Sequence, residues 1–92
     1  MIHTLPDITA SGAATALSTT SQKANWVSIQ GKQVATTART GDSLITSTRG
    51  ILITGSGFFF APTAGNSNQY DLRDIYTLGT AGDVFAVGYN VD

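Results

Sequence analysis

Asp83-Val84-Phe85-Ala86-Val87-Gly88-Tyr89-Asn90-Val91 alternates without a break. In an extended chain Phe85, Val87, Tyr89 and Val91 fall on one face, and Val84, Ala86, Gly88 and Asn90 on the other. A run of this period reads as a strand. Further back, Asn25-Trp26-Val27-Ser28-Ile29-Gln30 repeats the pattern. Val27 and Ile29 share a face, while Trp26 points the other way and covers a second surface. Gly31-Lys32 reads as a two-residue hairpin turn leading into a partner strand over Gln33–Thr40. Gly41-Asp42 breaks that strand. Ser43–Thr48 and Ile51–Ile53 read as two more strands around Arg49-Gly50. Gly55-Ser56-Gly57 is a turn. In Phe58-Phe59-Phe60 the first and third rings share a face and Phe59 takes the other. Thr63–Gln69 is a polar loop, Tyr70–Asp74 a short corner, Ile75–Leu78 a strand and Gly79–Gly82 a tight loop.

The reading yields seven or eight short strands with turn signals about every ten residues. That spacing predicts an all-β fold, a small antiparallel sandwich or barrel of jelly-roll type. Residues 1–21 read differently. Ile2 and Leu5 alternate poorly, and Pro6 blocks a central strand position. The stretch is expected to be an extended N-terminal arm, with a short helix possible over Ala13–Leu17; a linker, an edge strand and a segment ordered on a neighbour are its three readings, and the expectation is order gained mainly on a neighbouring chain. Residues 22–92 form the β domain.

Composition agrees with this reading. The chain has 92 residues, room for one domain. Charged residues make up 12%, about half the usual share, and no Glu occurs. Thr, Ala, Gly and Ser dominate. Residues that build solvated helices are scarce, which argues against an all-helical protein. A hydrophobic share of 41% argues against disorder. The formal net charge of −1, with five scattered cations, provides no basic field for nucleic acid. No apolar run is long enough to span a bilayer as a helix, and the first residues lack the pattern of a signal peptide. The expectation is a protein made in a cytoplasm, without disulfides, since Cys is absent. A domain of this size buries only about 60–65% of its unfolded surface, which favours oligomerisation or docking.

No residue set demands an enzyme, a cofactor or a metal. His3, the single histidine, lies in the arm, away from any rigid shell that catalysis would need. Asp71 and Asp74, following Asn66 and Asn68, have the oxygen density of a Ca²⁺ loop but not the spacing of an EF-hand. Turn formation explains them better. Gly55-Ser56-Gly57 lacks the Lys and following helix of a phosphate loop. Arg39, Arg49 and Arg73 can brace turns through Asp42, Asp71 or Asp83, or make directional contacts to a neighbour. Among the aromatic residues, Trp26 and Phe59 are the candidates for an interface.

The ordered set of Trp26 in a strand, Arg39-x-Gly41-Asp42, Thr48-Arg49-Gly50-Ile51, Phe60-x-Pro62, Tyr70-Asp71-Leu72-x-x-Ile75-Tyr76, Gly79-Thr80-Ala81-Gly82-Asp83 and an alternating last strand resembles small virion proteins of tailed bacteriophages. The resemblance covers Leu17 to Val91. It implies a head decoration or cement protein that sits outside a capsid, contacts the major capsid protein and assembles as a homotrimer. It carries no catalytic motif. The competing reading is a tail- or fibre-associated module that recognises host glycan through exposed aromatics.

Overall fold

A computed structural model describes residues 1–32, 37–53, 57–62 and 67–92. The described residues contain eleven short strands and a 3-10 turn over Leu72–Asp74, arranged in antiparallel sheets. The strands are β1 (Ile2–Thr4), β2 (Ile8–Thr9), β3 (Thr15–Ala16), β4 (Lys23–Ala24), β5 (Trp26–Gly31), β6 (Arg39–Gly41), β7 (Ile51–Leu52), β8 (Phe58–Phe60), β9 (Tyr70–Asp71), β10 (Tyr76–Leu78) and β11 (Val84–Asn90). The larger sheet runs β1-β11-β5-β8, with β2 also on β11; the second runs β3-β10-β6-β7; β4 and β9 form a separate pair. The radius of gyration, 12.3 Å, is that of a compact chain of this length. The expected all-β fold is what the chain adopts, and its sheets pack as in a β-sandwich.

β11 and β5 form the centre. Six pairs join them, from Phe85↔Gly31 to Asn90↔Trp26. Phe85, Val27 and Ile29 are fully buried, and Val87 and Tyr89 nearly so. The same core takes in Leu17, Ala38, Ile53, Leu72 and Ile75. The alternation that defines these strands in sequence therefore separates a buried face from an outward one. β8 lies on the far edge of β5 (Val27↔Phe60 to Ile29↔Phe58). Phe58 and Phe60 meet edge-to-face with centroids 4.8 Å apart, and Phe60 also packs edge-to-face on Tyr70. Gly57 opens β8 at φ +86°, where a Cβ would lie 2.4 Å from the Ile29 carbonyl oxygen. Only glycine fits that approach.

Several local expectations change. Gly31-Lys32 is not a hairpin turn. Gly31 stays in β5, and the Lys32 amide donates to Val84 O at 2.8 Å. Gly31 is not among the glycines with positive φ, so the backbone of a tight two-residue turn is missing. The next described strand, β6, belongs to the other sheet; residues 33–36 of the expected partner strand lie outside the described residues. Ser43–Thr48 is not a strand either. Asp42 Oδ1 accepts from the Leu44 amide, the Ile45 amide donates to Asp42 O, and Thr46 and Arg49 pair across a turn. Asp and Thr side chains here compete with the sheet for backbone groups. Thr15–Ala16, expected in a short helix, is a strand on β10.

Residues 1–21, expected as an arm ordered mainly on a neighbouring chain, take the edge-strand reading instead. They pair within the chain: β1 and β2 lie end to end along one edge of β11, and β3 lies on β10. β1 follows Thr4↔Gly88, while β2 follows Ile8↔Phe85. With Leu5 donating to Val87 O, Pro6 and Asp7 are left opposite Ala86 alone. Two residues facing one is a β-bulge, which suits an edge proline with no amide to donate. The bulge also explains the poor alternation: Leu5 and Ile8, three apart, both pack against the core.

Ile29→Ala should cost about 3 kcal/mol in equilibrium denaturant unfolding, since it empties a fully buried site. Ile51→Ala, on a half-exposed edge, should cost less than about 1 kcal/mol.

Candidate functional site

The outward residues of the larger sheet form a shallow face. From β5 it takes Trp26, Ser28 and Gln30, from β11 Ala86 and Gly88, from β8 Phe59 and from β1 Thr4, as the register dictates. Trp26 and Phe59 meet at 5.5 Å between centroids, tilted by 51°. Phe59 remains 51% exposed. Ala86, Gly88 and Ser28 leave the floor low, so an open groove of about 450 Å³ runs from Trp26 to Asp7 and Lys32. The Lys32 ammonium donates to the Asp7 carboxylate there, with both side chains about half exposed. An ion pair that wet contributes at most about 1 kcal/mol.

The three arginines have different surroundings. Arg39 donates from Nε to Ser47 O at 3.2 Å and from Nη1 to Gly50 O at 2.8 Å, so its fork braces the loop before β7. Arg73 is exposed, with Nη2 4.0 Å from Asp71 Oδ2. Arg49 is exposed, and its backbone pairs with Thr46. Of the five interface candidates, Trp26 and Phe59 are brought together, Arg49 stands apart in the loop, and Arg39 has its donors engaged within the chain. Exposed aliphatic residues gather elsewhere: Leu44 is 59% exposed, Ile51 46% and Leu52 48%.

Asp71 is a structural node. Its side chain is 4% exposed. It accepts from Ser21 Oγ at 2.6 Å, from the Gln22 amide at 3.1 Å and from the Arg73 amide at 3.0 Å, where it caps the 3-10 turn. These bonds, with Ser21 first, hold its carboxyl down at about 2, against 3.8 for a free one, and Lys23 adds attraction. Its oxygens are thus taken by protein donors, and Asp74 is exposed. Among the described residues no three His, Cys, Asp or Glu side chains are placed to hold a metal ion. Asn66 of the considered Ca²⁺ loop lies outside the described residues. His3 sits on exposed β1, stacked on Tyr89 at 5.3 Å. A second polar node holds the last residue: Asn25 and Asn90 donate to the Asp92 carboxylate, and Asn68 exchanges two hydrogen bonds with its backbone.

Sequence reading singled out Trp26 and Phe59 but not the groove beside them. Thr4, Leu5 and Asp7 reach it only because the bulge carries the first residues along β11. The contrast of large residues on β5 with Ala86 and Gly88 on β11 was its one available signal. No family model, no curated protein and no solved structure matches the chain.

The lowered pKa of Asp71 gives a pH dependence. An unfolded carboxyl binds a proton near 3.8 and the folded one only near 2, so its contribution is present in full above about pH 4 and lost as pH falls toward 2. In unfolding experiments across pH, the stability gap between wild type and Asp71→Asn should be widest near neutrality and narrow as pH drops to 2. Ser21→Ala should bring the folded carboxyl closer to its free value, so that the loss is smaller and is complete at a higher pH.

Proposed function

We propose that this chain is a non-enzymatic structural protein of a virion, a decoration or cement protein that docks as a homotrimer on the outside of a phage head and braces neighbouring major capsid subunits. The observation that carries the proposal is at β7. Ile51 and Leu52 are consecutive in a strand, so they point to opposite faces, yet each is about half exposed. Among the described strands β7 is also the last of its sheet. Such an edge offers a neighbour both backbone groups and apolar surface. Leu44 adds to the exposed apolar area, and the resemblance to phage virion proteins points the same way.

With a net charge of −1, long-range steering is weak. Attachment then depends on apolar and backbone contacts made three at a time, which raises effective concentration at each site. Arg49 is the candidate for a directional contact to a neighbour's carbonyl or carboxylate.

The groove beside Trp26 and Phe59 favours a second reading, a module that binds host glycan. An open aromatic pair next to Ser28, Gln30 and Thr4 combines a stacking surface with hydroxyl and amide partners.

Purified protein added to shells that lack it should reach high occupancy and keep it through moderate salt. Ile51→Asp or Arg49→Ala should lower occupancy several-fold; steep loss of wild-type binding with salt, and no effect of either variant, would contradict the proposal. Trp26 is the single tryptophan. A saturable change in its fluorescence on titration with host surface oligosaccharide, abolished in Phe59→Ala, would favour the glycan reading; no change is expected of a cement protein.

A further inference from the structure

We propose that residues 1–10 exchange between copies of this chain, so that β1 and β2 of one copy lie along β11 of another. Main-chain bonds run nearly the whole length of this segment, from the Val91 amide on Met1 O, through Leu5 on Val87 O, to Ala10 on Asp83 O. Its side chains are mostly exposed, and Leu5 and Ile8, half-buried against the core, would make the same contacts from another copy. Met1 is 80% exposed and Ile2 68%, and only Ala10 is buried. A ladder of this kind is indifferent to which copy supplies the strand.

The connection favours exchange. Five residues, Ala10–Ala14, carry the chain from β2 on the larger sheet to β3 on the other. Gly12 turns that link at φ +91°, and no atom lies within 4 Å of the place a Cβ would occupy. Ser11, Gly12 and Ala13 are exposed, so the link can extend without uncovering buried surface at these three residues. A short hinge that can open into an extended connector is the usual route by which identical elements swap between subunits.

Exchange has a consequence for the candidate groove. Thr4, Leu5 and Asp7 would come from one copy and Trp26, Ser28 and Gln30 from the other. The Asp7–Lys32 ion pair would then join subunits. The proposal shares self-association with the decoration reading but needs no capsid.

The register supplies a direct test. Since Leu5 and Val87 are a hydrogen-bonded pair, Thr4 and Gly88 are a non-hydrogen-bonded one, with Cα atoms about 4.5 Å apart, within the range of a disulfide. The chain has no cysteine of its own. A Cβ at Gly88 meets only His3 O, at 3.7 Å, an ordinary contact. Thr4→Cys and Gly88→Cys single variants, co-expressed and oxidised, should yield a disulfide-linked dimer at twice the monomer mass that neither variant forms alone. The double variant shows whether the pair can close; if it does not oxidise, Ile2→Cys with Asn90→Cys replaces it. Closure of the double variant wholly within single chains, with no linked dimer from the co-expressed singles, would overturn the proposal. Multimers in sedimentation without cross-linking would likewise overturn exchange while leaving self-association standing. A linked dimer that fails to bind shells would uphold exchange and count against the capsid reading.

Discussion

The structure depends on one strand being paired along both edges. β11 has β5 on one side and β1 with β2 on the other. Its inward residues Phe85, Val87 and Tyr89 form the centre of the core, and its outward Ala86 and Gly88 form the floor of the groove. Burying three large side chains on a strand whose backbone is also satisfied on both sides combines the two main favourable terms at one place. The segments flanking the remaining strands contribute Leu17, Ile53, Leu72 and Ile75 to a core already organised by this strand.

The polar nodes then fix what the small core leaves loose. Asp71 ties residues 21 and 22 to the 3-10 turn, and Asp92 is held by three asparagines. A chain with only 12% charged residues concentrates its acids where backbone amides need partners. Thr40, buried on β6, follows the same rule through its bond to Tyr76 O.

Period-two alternation was legible wherever a strand is long and one face is buried, as in β5 and β11, and the opposed faces of Phe58, Phe59 and Phe60 followed from the same rule. Pairing between distant segments was not. The bulge at Pro6–Asp7 moved Leu5 and Ile8 onto one face and hid the strand character of the first residues. Asp42 and Thr46 turned a stretch of adequate β-propensity into a loop through local hydrogen bonds. At the candidate site, Trp26 and Phe59 were visible as outward aromatics, but the groove needed Thr4 and Asp7 from a segment that reads as an arm. Arg39 follows the bracing alternative that its sequence also offered, donating from β6 to the carbonyls of Ser47 and Gly50.

The central claim is that β11 carries core and outer face at once, so that the face can be altered without loosening the core. Amide hydrogen exchange tests it most directly. The amides of residues 84–90 should be the most protected in the chain, and Phe59→Ala should leave them so while the loop of residues 42–49 exchanges freely in both proteins. Exchange of the β11 amides as fast as that loop, or a marked loss of their protection in Phe59→Ala, would contradict it.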